Sequence, residues 1–89
     1  GVRFFFTRGI QELFPEHMFQ ILAKVSNYED FTKENDPYGE RDFGNFDYEG
    51  VEIFWKFDYY DRELKYGSED PADPEKTTRV LTVMLASEY

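Results

Sequence analysis

The chain has 89 residues, no cysteine and a net charge of −9 at pH 7. That length makes a single domain of residues 1–89, and the missing thiols exclude disulfides and thiolate metal sites, in keeping with a reducing cytoplasm. The charge disfavours direct binding to nucleic acid or an anionic membrane, and no apolar run approaches the roughly 18 residues of a membrane span.

The charge is uneven. Residues 29–75 hold 16 acids and 5 bases, a balance of −11, and the remainder holds 3 acids and 5 bases, a balance of +2. Ten Phe, seven Tyr and one Trp offer a rich core, but a domain this small cannot bury them all, so some are expected at contact surfaces. No signal-peptide pattern is present, and a start at Gly1 is compatible with a processed or truncated end.

Val2 to Thr7 carries three consecutive Phe, which predicts a strand buried on much of both faces, inside the sheet beside a hairpin. Thr7 is placed to cap a short helical turn over Ile10–Phe14. Pro15 suits the first position of a helix running to Ser26, with Met18, Ile21, Leu22 and Val25 as its apolar stripe and Asn27 as a left-handed stop. His17, the only histidine, falls outside that stripe and reads as solvent-facing. Tyr28 to Arg41 is loop, with an Asx turn at Asn35-Asp36-Pro37 and with Phe31 and Tyr38 pinning it to the body.

The hairpin is the most strongly specified element. Val51, Ile53, Trp55, Phe57 and Tyr59 alternate on one face. Glu49-Gly50 is a two-residue loop that wants positive φ. It sets Tyr48 opposite Val51, Phe46 opposite Ile53 and Gly44 opposite Trp55, where the glycine leaves room for the indole. Asp47 falls opposite Glu52, like charge against like, and Arg41 opposite Asp58. Glu63–Tyr66 is expected as a short third strand of a meander. Asp73 reads as an N-cap, with Pro74 at the first helical position, for a final helix over Glu75–Glu88. The fold class is therefore α+β: a three- to four-stranded antiparallel sheet in the order β-α-β-β-β-α, with two helices on one face and Asp47, Glu52 and Asp58 on the other.

At Asn35-Asp36-Pro37-Tyr38-Gly39-Glu40-Arg41-Asp42-Phe43-Gly44 the chain resembles a family of small bacterial and viral proteins, domain of unknown function 3768. Arg41 stands where that family usually has His. The resemblance continues through Asp58-Tyr59-Tyr60-Asp61, Tyr66-Gly67-Ser68, Asp70-Pro71-Ala72-Asp73-Pro74, Thr78-Arg79-Val80-Leu81-Thr82 and Glu88-Tyr89. Family members usually carry a further N-terminal helical stretch. The resemblance implies no activity and no functional residue. The family's occurrence in phages and mobile elements implies a role in genetic conflict inside a bacterial host cell, by analogy of class with anti-CRISPR and anti-restriction inhibitors.

Candidate chemistry is sparse. Asp36, Glu40, Asp42, Asp58, Asp61, Asp70, Asp73 and Glu75 are the residue types a hard cation takes, but their spacing fits no metal loop, and aspartate before proline is a turn former. No nucleophile context, paired-carboxylate cleft or phosphate-binding glycine loop is recognisable. The expectation is a protein that is not an enzyme, with no metal and no cofactor. The leading functional expectation is an acidic inhibitor that mimics DNA on the basic nucleic-acid-binding surface of a partner such as a CRISPR effector subunit. Its candidate contacts are Glu34, Asp36, Glu40 and Asp42 before the hairpin and Asp47, Glu49, Glu52 and Asp58 on it. Carboxylates on one face of a strand recur about every 6.6 Å, near the spacing of phosphates along an extended strand, and the same cationic forks hold both. The alternative is a regulatory interaction module, homodimeric as one option, that docks through exposed aromatics such as Phe54, Tyr60 and Tyr38.

Overall fold

The computed structural model describes residues 2–89. At its centre β2 (Phe43–Tyr48) and β3 (Val51–Tyr60) form the expected hairpin. Glu49 and Gly50 both take positive φ, 49° and 82°, as a type I′ turn requires. The Gly50 N–H donates to the Asp47 carboxylate at 3.0 Å. The register places Tyr48 against Val51, Phe46 against Ile53, Gly44 against Trp55 and Asp47 against Glu52, each as expected. The Arg41–Asp58 pair does not form. Asp58 bonds Lys56 on its own strand, and the Arg41 guanidinium lies 5.4 Å from the Phe31 ring centre. Arg41 also has φ 54°, which turns it out of the ladder.

Trp55 is 2% exposed. Tyr28, Phe31 and Phe57 surround it edge-on. A methyl group built on Gly44 would lie 2.7 Å from the indole ring, so only glycine lets the strand pass so closely over it.

The helices come next to the core face. α1 (Arg8–Leu13) and α2 (Met18–Ser26) insert Ile10, Phe14, Ile21 and Val25 against Ile53, Trp55, Leu81 and Val83. α2 begins three residues later than Pro15 suggested. Phe14 is held at φ −131°, ψ 54°, outside the helical region that a following proline disfavours, and Pro15-Glu16 becomes the turn between the helices. Asn27 does cap α2, but at φ −96° it is not left-handed. His17 is not simply solvent-facing. Its Nδ1 lies 2.7 Å from the Tyr48 hydroxyl, a part-buried hydrogen bond between α2 and the hairpin.

The largest correction concerns the last element. Thr78–Leu85 is a strand, β4, not a helix. It lies antiparallel to β3 and parallel to β1 (Val2–Phe6), so the sheet is mixed, in the order β1-β4-β3-β2. Its β-branched residues fit a pleated strand. A strand buried on both faces reads as a near-continuous apolar run, and here that run also satisfied helical spacing. Asp73 does accept the Glu75 N–H at 2.9 Å, but it closes an isolated turn. Glu63–Tyr66 is likewise a turn, with Leu64 at φ 61° and a single bridge from Tyr60 to Gly67.

β4 takes the interior place expected for β1, and β1 becomes an edge strand with Val2, Phe4 and Phe5 exposed. The fold class remains α+β, with two helices on one face of a four-stranded sheet.

Gly44→Ala tests the central contact. Overpacking of this kind costs about 1–3 kcal/mol, so the variant should melt roughly 5–20 °C lower by circular dichroism. An unchanged melting temperature would mean that the strand does not lie so close to the indole.

Candidate interaction surface

Strand parity divides the sheet residues into two sets. Gly44, Phe46, Ile53, Trp55, Leu81 and Val83 face the helices. The opposite set carries Phe5 on β1, Val80 and Met84 on β4, Phe54, Lys56, Asp58 and Tyr60 on β3, and Phe43 and Asp47 on β2. Neither α1 nor α2 packs on this second face. A 3₁₀ turn at Ala86–Glu88 leads Tyr89 onto it instead, where Tyr89, Phe43 and Phe54 meet edge-on with ring centres 5.3–5.6 Å apart. Val80 and Met84 are buried along the interior strand, beside Asp58 and Phe54 respectively. Asp47 and Glu52 stand exposed at the hairpin end of the same face. The face thus has an apolar middle and an acidic end.

The eight predicted carboxylates do not form one surface. Asp47, Glu52 and Asp58 share the uncovered face. Glu52 accepts a hydrogen bond from Asn45 Nδ2 at 3.0 Å, and Asp58 is paired with Lys56 Nζ at 3.1 Å. Glu49 sits in the turn, 3.5 Å from His17 Nδ1. Asp36, Glu40 and Asp42 form a separate cluster in the loop before β2. There the neighbouring Asp42, by hydrogen bond and by charge, holds the Glu40 carboxyl above its usual range. Burial, and then the charge of Asp42, raise the Tyr59 hydroxyl in the same region. Tyr59 alternates onto the helix side of the sheet, so this second cluster lies away from Asp47 and Glu52. Glu34 is exposed on the loop.

The aromatic part of the surface was only partly foreseen. Phe54 and Tyr60 are half-buried in it, whereas Tyr38 stands free of the body on its loop. Phe43 was missed, although parity with Gly44 across one residue places it on the outer face. Tyr89 carries no signal in the sequence, because its position depends on the 3₁₀ turn.

Fold and surface together define a small acidic α+β domain with one helix-covered and one uncovered sheet face. Among the described residues no group of three or more His, Asp or Glu is arranged to hold a metal ion, and no helix is long and apolar enough to cross a membrane. The chain belongs to the family described as protein of unknown function (DUF3768), whose profile matches residues 6–88. No curated protein and no solved structure gives a significant match to it.

Two of the motifs on which the resemblance rests have structural work. The Asp36 carboxylate accepts the N–H groups of Glu40 at 2.9 Å and Arg41 at 3.1 Å, while Asn35 accepts from the Thr32 N–H and donates to the Asp30 carbonyl. Those bonds fold the loop that carries Phe31 onto Trp55. Glu88 accepts from the Thr7 hydroxyl at 2.6 Å and from the N–H groups of Leu85 at 2.8 Å and Gly9 at 3.2 Å. Thr7 therefore serves this clasp and makes no side-chain cap to α1. Gly9 leaves room for the clasp, since a methyl group would meet the ends of the Leu85 and Glu88 side chains at 2.6–2.9 Å and push them aside.

The clasp depends on pH. The Thr7 hydroxyl, followed by the Leu85 N–H, lowers the Glu88 carboxyl below its usual range. A carboxyl lowered in the folded state stabilises above its unfolded pKa, about 4.3, and that stabilisation is lost as pH falls through the folded value. Glu88→Gln should lower the melting temperature by a few degrees at neutral pH, and the gap to wild type should close on acidification below about pH 4. A gap that persists in acid would show that charge is not what the clasp uses.

Proposed function

We propose that this protein is a non-enzymatic binding module that seats its uncovered sheet face on a basic protein surface. The supporting observation is the face itself: Phe43, Phe54 and Tyr89 lie packed at its middle, with Asp47 and Glu52 exposed at one end. Apolar anchors surrounded by charge are the usual anatomy of a docking patch. The net charge of −9 selects a cationic partner and speeds the encounter. A nucleic-acid-binding surface, such as that of a bacterial defence complex, has the required charge, and the module would act there as an inhibitor.

A narrower reading makes the carboxylates themselves the contacts, as a DNA mimic. The crowding of Asp36, Glu40 and Asp42 favours it, since it concentrates negative potential in one loop, enough to raise the Glu40 carboxyl above its usual range. The two readings differ in what supplies the affinity. Charge contacts weaken steeply with salt, whereas aromatic docking does not.

Capture of partners from a bacterial lysate, followed by titration of the purified pair, tests both. Glu52→Lys is expected to leave the fold intact, because the side chain is exposed, and to weaken binding at least tenfold by setting like charges across the interface. Phe54→Ala should weaken binding to a similar degree with little salt dependence. Displacement of the protein by added duplex DNA, with loss of binding in Asp36→Lys and Glu40→Lys but not in Phe54→Ala, would select the mimic. A partner bound equally well by Glu52→Lys and Phe54→Ala would overturn the proposed face.

A further inference from the structure

β1 presents a feature that the docking face does not explain. It is an edge strand of five residues, yet Val2, Phe4 and Phe5 are 43%, 54% and 49% exposed. Edge strands are normally blunted by proline, lysine, a bulge or an inward charge. β1 has no proline, lysine or bulge: it pairs with β4 without interruption from Val2 to Phe6, and Arg3 is the one charge that guards it.

The backbone tells which of its groups are free. The Thr7 N–H donates to the Val83 carbonyl of β4. Successive peptide groups of a strand point to alternate sides, so Arg3, Phe5 and Thr7 bond β4. Val2, Phe4 and Phe6 then direct both N–H and C=O away from the sheet, and of these the Phe6 carbonyl already accepts from Gln11 Nε2 at 2.7 Å. Such an edge is a template for another strand.

We propose that the occupant is a second copy of this chain, with β1 paired antiparallel to β1 about a two-fold axis at Phe4, extending the sheet to eight strands. The parity permits this register and makes it self-complementary. Phe4 faces Phe4, and Val2 faces Phe6 of the second copy, as hydrogen-bonded pairs, the Phe6 carbonyl using the lone pair that Gln11 leaves free. Arg3 then faces Phe5 of the second copy in the non-hydrogen-bonded position, where Cα atoms approach to about 4.5 Å and side chains are closest. That pairing sets a guanidinium against an aromatic ring, twice by symmetry, and opposes no like charges. The charge distribution favours this edge over any other for self-association. The −11 of residues 29–75 includes the hairpin at the opposite edge of the sheet, and the remainder, which includes β1, carries +2. On the helix side Phe4 also rims an open recess of about 400 Å³ with Leu22, Phe31, Trp55, Phe57 and Leu81. The Phe4 ring of the second copy arrives beside that recess. A contact of one short strand is small for a stable interface, so the dimer should form in the micromolar range or weaker and depend on concentration. The inference stands apart from the docking face, because it uses the edge and not the surface of the sheet.

The test is amide hydrogen exchange with sedimentation velocity over a roughly hundredfold concentration range, where mass action must shift a weak dimer. The amides of Phe4 and Phe6 should become protected as concentration rises, while those of Arg3, Phe5 and Thr7 stay protected throughout, and the mass should climb towards twice the monomer value. Phe4→Pro removes an outward N–H that β4 does not use and should raise the dissociation constant at least tenfold. Should that variant fail to fold, the wild-type exchange pattern decides alone. A mass that stays monomeric, a dimer that forms without protecting Phe4 and Phe6, or protection of those amides already in the monomer would each overturn the proposal.

Discussion

The passage of Gly44 over the indole of Trp55 is the contact on which the rest of the structure depends. It fixes the hairpin register, because a shift by one residue would put every core side chain of β3 on the other face. With that register fixed, Ile53 and Trp55 form the floor on which α1 and α2 pack, and Tyr28 and Phe31 close over the indole. The contact has an energetic cost as well. Trp55 Nε1 is buried with no acceptor among the described residues, and an unpaired buried donor costs about 1–3 kcal/mol. Burial of the largest side chain in the protein, ringed by three aromatics, offsets that.

The acidity acts first as local architecture. Asp36, Asp47, Asp61, Asp73 and Glu88 each accept backbone N–H groups, and Glu12 and Asp58 pair with bases on their own element. These carboxylates still contribute to the field of the molecule, since a hydrogen bond does not neutralise them. Their positions are nevertheless set by turns and not by a partner. That is why the sequence-predicted acid set divides into an uncovered-face group and a loop group. The aromatic cluster around Phe54 is different, because nothing in the fold's own core requires it.

The hairpin, its turn and the role of Gly44 were legible in the sequence because period-two alternation, a two-residue loop and a glycine opposite a tryptophan all specify one register. The short helix before Pro15 and the apolar stripe of α2 were legible for the same reason: local pattern and local structure agree. Thr78–Leu85 was not, since Val80, Leu81, Met84 and Leu85 satisfy a helix and a doubly buried strand equally well. Only the presence of β3 and β1 on either side decides between them, and that information is not local. The error propagated to β1, whose three phenylalanines suit an interior strand until β4 occupies that place. At the surface, Asp47 and Glu52 could be placed from the hairpin alone, whereas Phe43–Tyr89 contact depends on how the chain leaves β4.

The parallel pairing of β1 with β4 also orders the events of folding. Thr7 and Glu88, joined by one hydrogen bond, are 81 positions apart, and among the described residues β1 pairs with residues 78–85. Closing so long a loop delays the reward until the residues between them are available. During synthesis the hairpin and α2 can collapse around Trp55 early, but the phenylalanines of β1 must wait, unpaired, until β4 has left the ribosome. The sheet is therefore completed from its middle outward, with β1 docking only after β4 is in place.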